Sequence, residues 1–105
     1  MSPADQHLSV EVDAEASPAR VVASGEVDAA SAPALAAAIT EATGSGGDVA
    51  LDLGGVTFID SSGLRVIAGA VSAAEDRGLS VRVAAASGAV ERIFSMTGLT
   101  GLIDS

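Results

Sequence analysis

Asp60, Ser61 and Ser62 are adjacent in the stretch FIDSSGLRV, where an apolar run ends and a helical pattern begins. A carboxylate beside two hydroxyls supports several kinds of chemistry. Side-chain oxygens cap a helix by accepting from the unpaired N–H groups of its first turn, each cap contributing about 1 kcal/mol. A serine becomes a nucleophile when a base lies within hydrogen-bond reach. An exposed hydroxyl is also a place where a group is added or removed. Capping is the plainer reading, and it is compatible with the third, because a hydroxyl at a helix end stays open to solvent.

The nucleophile reading finds little support. Asp-Ser-Ser-Gly is not the G-x-S-x-G of a nucleophile elbow. The single histidine, His7, lies near the N-terminus, so no triad assembles. The acids are scattered, no ligand pair stands at helical spacing beside a histidine, and there is no cysteine. The sequence therefore assigns no catalytic residue, no metal ligand and no cofactor. GSGG at 44–47 lacks the Lys-Ser/Thr ending of a phosphate-binding P-loop and reads as a helix exit. DLGG at 52–55 reads as a turn.

The elements that must position Asp60 to Ser62 follow from periodicity. HLSVEVD alternates Leu8, Val10 and Val12 with polar residues, the pattern of a half-buried strand. A connection containing Pro18 leads to a second strand, ARVVASGEV, antiparallel to the first. Ser31 is the expected cap of a helix with Pro33 in its first turn and Leu35, Ile39 and Ala42 inward. DVALDL is a short strand. A second helix is expected from about Ser61 to Arg77, stopped by Gly78, with Leu64, Ile67, Ala68 and Val71 buried. LSVRVAA is a further strand, and SGAVERIFSMTG a third helix capped by Ser87, with Val90, Ile93 and Phe94 inward. The tail LTGLIDS suits a last short strand.

The order β-β-α-β-α-β-α defines an α/β fold, a small mixed sheet with helices packed on it. In such a sheet, ligands meet the carboxyl ends of the parallel strands. Glu26 and Asp28 leave the second strand there, Asp60, Ser61 and Ser62 the third, and Ser87 the fourth. All are expected on one edge, with the helix N-termini opening beside them. Asp28 taken alone reads as a solvated loop residue.

Composition narrows the partners. The chain has 105 residues, the size of one domain, and only two aromatics, Phe58 and Phe94, so its core is aliphatic and offers little for stacking bases. Fourteen acids against five arginines give a formal charge of −9. That field repels phosphate and anionic lipid, so neither nucleic acid nor a membrane surface is an expected partner; a protein with a basic patch is. The start of the chain lacks a signal-peptide pattern and no apolar run approaches a membrane span. A cytoplasmic protein, monomeric when free, is expected.

GEVDAASAPAL, VALDLGGVTFIDSSGLRVI and SGAVERIFSMTGL together resemble the signature blocks of bacterial anti-sigma factor antagonists, the single-domain STAS proteins. The resemblance runs from about residue 8 to residue 103, in the same order and spacing. Asp-Ser-Ser-Gly-Leu after an apolar strand is its most specific part. It implies a STAS-like fold over residues 1–105 and a protein without catalysis of its own. The unphosphorylated form would bind an anti-sigma factor with serine kinase activity and so free a sigma factor. Phosphorylation of the serine after the aspartate, here Ser61, would end binding, and a serine phosphatase would restore it. Asp28, Asp60, Ser62, Gly63, Leu64 and Arg65 would contribute to partner binding, Gly63 by permitting close approach, while Leu64 suits either the contact or the core. Ser87-Gly88 replaces a frequent Ser-Pro, and many relatives continue past the MTGL block. The alternative is a non-switching STAS adaptor in a signalling assembly or lipid-transport complex, with DSSG serving as cap and interface.

Overall fold

The computed structural model describes residues 8–44 and 46–98. Strands β1 (Leu8–Asp13) and β2 (Ala19–Val27) pair antiparallel; helix α1 (Ala32–Thr43) follows, then β3 (Val49–Ile59), α2 (Ser61–Asp76), β4 (Val81–Ala86) and α3 (Gly88–Thr97). The sheet order is β1-β2-β3-β4, with β2, β3 and β4 mutually parallel. The mixed α/β fold expected from the sequence is the observed one. His7 and the tail LTGLIDS fall outside the described residues.

One face of the sheet holds the core. Val21, Ala23 and Val27 of β2, Leu51, Leu53 and Val56 of β3, and Val83 of β4 are fully buried or nearly so. Leu35 and Ile39 of α1, Ile67 of α2, and Val90 and Phe94 of α3 close over them in a single cluster. Removing a ring such as that of Phe94 from this layer would cost about 3–5 kcal/mol. The opposite face carries the exposed Glu11, Asp13, Arg20, Ser24, Glu26 and Arg82. An ion pair there, Arg20 Nη2 to Asp52 Oδ2 at 3.5 Å, links β2 and β3.

Helix boundaries follow local chemistry. Pro33 lies in the first turn of α1, where its missing N–H would have no partner anyway. α2 ends as Leu79 N–H donates back to the Ala74 carbonyl at 2.9 Å around Gly78, whose φ of +75° suits a residue without a side chain. Ser87 caps α3 by accepting from Val90 N–H at 3.3 Å.

Three expectations need correction. DLGG is not a turn: β3 runs through it for eleven residues. Gly55 is the glycine short of space, since a Cβ there would stand 2.5 Å from Ser24 Oγ on the neighbouring strand. The apolar Val56 and Ile59 carry the strand onward, and burial overrides turn propensity. Ala68 is exposed rather than buried. The α2 stripe leans toward α1 through the half-buried Val66 and Ala70 and continues to the buried Ala74, which turns Ala68 outward. Ser31 precedes α1 but makes no side-chain cap to its first turn; its hydroxyl is engaged in the preceding loop.

Candidate functional site

Asp60 leaves the end of β3 in extended conformation and caps α2. Its Oδ1 accepts from Ser62 N–H at 2.9 Å and from Gly63 N–H at 3.4 Å, which satisfies two of the unpaired donors of the first turn. Ser61 is therefore the first helical residue. It is exposed, and its hydroxyl makes no hydrogen bond to another described residue. Ser62 is half-buried. The aspartate takes the cap and leaves the Ser61 hydroxyl without a partner among the described residues.

Gly63 is buried. A Cβ there would lie 2.5 Å from Val27 Cγ1 and 2.8 Å from Ile59 Cγ1. The close approach this glycine permits is to the protein's own sheet, not to the solvent face where a partner would stand. Leu64 is half-buried and packs on the core. Arg65 is exposed one helical turn after Ser61 and lines the cleft between α2 and α1 with Ala36 and Thr40.

Asp28 is held as firmly as Asp60. Its Oδ1 accepts from Ala30 N–H and Ser31 N–H, both at 3.0 Å, and its own N–H donates to Ser31 Oγ at 2.9 Å. The single proton of that hydroxyl has two acceptors in reach, the Glu26 carbonyl at 2.8 Å and Asp28 Oδ1 at 3.1 Å. Asp28 is thus a fixed, half-buried loop anchor rather than a solvated residue. Val27 and Ile59 are register partners, so Asp28 and Asp60 leave adjacent strands side by side. Asp28, Asp60, Ser61 and Ser62 share one edge, as the topology requires.

Ser87 does not join them. Its N–H donates to the Leu53 carbonyl at 3.2 Å, which sets it level with the middle of β3, roughly 20 Å short of Asp60 along the strand. β4 has six residues and β3 eleven, so the fourth strand stops before the edge is reached. Glu26 pairs with Phe58, one step below the edge, and is exposed.

A further feature was not legible from periodicity. Thr57 is an extra residue between the Gly25–Val56 and Glu26–Phe58 pairs, a bulge that brings Phe58 to the surface at 48% exposure. Met96 of α3 is 76% exposed. Both line a groove of about 260 Å³ with Ile59, Ala89, Arg92 and Ile93. The three-residue spacing from Val56 to Ile59, which breaks strand alternation, was the available signal.

No helix among the described residues is long and apolar enough to cross a membrane. The geometry is a sheet with one helix-covered face, a helix α2 capped by Asp60 and an exposed serine at the first position of that helix. The family model described as "Mlab, STAS domain" matches residues 10–104, so the chain belongs to the STAS-domain family. Its fold is similar to that of an anti-sigma factor antagonist from Mycobacterium paratuberculosis, with 28% identity and a TM-score of 0.77 over 98% of this chain and 87% of that one. It also resembles the anti-sigma factor antagonist SpoIIAA in its unphosphorylated form, with 21% identity and a TM-score of 0.74 over 91% of this chain and 86% of the other. The phosphorylated form of the Bacillus cell fate determinant SpoIIAA matches at 20% identity and a TM-score of 0.69, over 91% and 89%. The last two are likenesses of fold.

Proposed function

We propose that this protein is an anti-sigma factor antagonist whose unphosphorylated form binds an anti-sigma factor carrying serine kinase activity, and that phosphorylation of Ser61 ends the binding. The observation that carries the reading is the exposed Ser61 hydroxyl at the first position of α2, without a hydrogen-bond partner among the described residues, next to the cap residue Asp60 and at the same end of the sheet as Asp28. Asp28, Asp60, Ser62 and Arg65 form the surrounding contact surface, with Leu64 partly available. Gly63 acts from behind by seating α2 on the sheet.

A phosphoryl group at Ser61 brings roughly −1.5 to −2 charges and three acceptor oxygens. The helix N-terminus tolerates the dianion, so the fold persists. A packed contact does not, and the neighbouring carboxylates raise the local negative charge further. Each ~1.4 kcal/mol lost weakens the complex tenfold. Catalysis then resides in a kinase and an opposing serine phosphatase, and the protein acts in the cytoplasm as their substrate and as a switch.

The test is incubation with the cognate kinase and ATP, followed by mass spectrometry and titration. One phosphate at Ser61 is expected; Ser61→Ala abolishes it and keeps binding, and Ser61→Asp weakens binding at least tenfold. A phosphate elsewhere, with Ser61→Ala unchanged, overturns the assignment. The family description "Mlab, STAS domain" favours a second reading, a non-switching adaptor in a signalling or lipid-transport complex. Stable binding to a transporter ATPase that is indifferent to Ser61→Asp would establish that one.

A further inference from the structure

We infer that the groove between β3 and α3 is the second half of the docking face, and that it takes an apolar side chain from a partner helix that also carries a basic residue. The inference rests on the reading that the Ser61 edge docks an anti-sigma factor, and it names the chemistry that factor must present. Phe58 and Met96 are the two large apolar side chains left exposed among the described residues, and they stand on facing walls of one groove with Ile59 and Ile93. Isolated exposed apolar residues need no explanation, but two that line the same depression form a site for an apolar anchor.

Continuity and charge point to the occupant. Ile59 forms part of the groove wall, and Ser61 is two residues further on, no more than about 7 Å along the chain. A partner seated on Ser61 therefore reaches the groove without a second interface. Glu26 pairs in register with Phe58 and Asp60 follows Ile59, so both acids stand beside lining residues at the Ser61 end of the groove, while Arg92 lies on the α3 wall. The complementary surface is a helix with a leucine- or phenylalanine-sized knob, lysine or arginine on the Ser61 side and a carboxylate toward Arg92. A second copy of this chain, with a formal charge of −9, is a poor match. The groove thus sets which anti-sigma factor is bound, whereas Ser61 sets when.

The test titrates the full chain against the kinase-type anti-sigma factors of the source organism, each purified, by calorimetry. Met96→Glu and Arg92→Glu are surface changes, and circular dichroism checks that each variant is folded. Met96→Glu is expected to weaken the complex at least tenfold and Met96→Leu less than twofold. The ε-methyl of Met96, one of only two methionines, should shift on complex formation in a carbon-13 spectrum. Met96→Glu binding within twofold of wild type, with Ser61→Asp still disruptive, overturns the groove and leaves the Ser61 reading standing. The reverse pattern supports the groove and removes the switch; no binding by wild type removes both. A methyl signal that moves on dilution assigns the groove to a second copy. One that moves in the free Leu102→Ser, Ile103→Ser variant assigns it to the chain's own tail. Either result overturns the inference.

Discussion

The backbone N–H of Asp60 donates to the carbonyl oxygen of Val27 at 3.2 Å. This bond ties the residue that opens α2 to the last residue of β2, so the loops that carry Asp60 and Asp28 are held in register. Asp60→Ala deletes the acceptor for Ser62 N–H and Gly63 N–H and should cost about 1 kcal/mol, within the 0.5–2 kcal/mol typical of lost caps. Asp60→Asn keeps an amide oxygen in place and should cost only a few tenths. Urea unfolding midpoints check both, and equal losses would contradict the cap geometry.

Gly63→Ala tests how tightly α2 is seated. Helix propensity alone favours alanine by up to about 1 kcal/mol. The new methyl would lie 2.5 Å from a branch of Val27 and 2.8 Å from Ile59, both buried and both stiff at χ1. Overpacking of that kind costs about 1–3 kcal/mol, so the melting temperature should fall. A rise would show that the helix rides free of the sheet.

Phosphorylation at Ser61 should leave stability almost unchanged. The favourable interaction with the helix N-terminus, about 0.3–1 kcal/mol, is offset by the nearby carboxylates. Calorimetric melting of the modified and unmodified protein should differ by less than about 1 kcal/mol at the midpoint. A loss of several kcal/mol would mean that the modification acts by unfolding.

Arg65 stands four residues after Ser61 on the same exposed side of α2. Pairs at this spacing face one another, and a guanidinium favours the phosphate dianion. In Arg65→Gln the second ionisation of phosphoserine, near about pH 6, should move upward by a few tenths of a unit in a phosphorus-31 titration. Coincident curves would remove Arg65 from the site.

Elements with regular periodicity were readable before any coordinates. The ARVVASGEV strand, the Leu35–Ile39–Ala42 face and the Ser87 cap all appear where expected, because each depends on residues within one or two turns. What escaped depends on neighbours far away in sequence. Gly54-Gly55 has the local signature of a turn, and only Ser24 on the adjacent strand explains why a strand passes through glycine there. Ser87 was set on the functional edge because strand ends were assumed level, and relative strand length is a property of the whole sheet. The DSSG cluster was legible as a cap. Which side chain would do the capping was not, and that assignment to Asp60 is what frees the hydroxyl next to it.

The unequal lengths of β3 and β4 divide the central strand into two working halves. Val49 to Leu53 is flanked on both sides by paired strands and anchors the sheet, while Gly54 to Ile59 runs on beside β2 alone among the described strands. Breathing of the backbone should concentrate in that second half, next to Ser61, so the tip that carries this serine can adjust without loosening the scaffold below it.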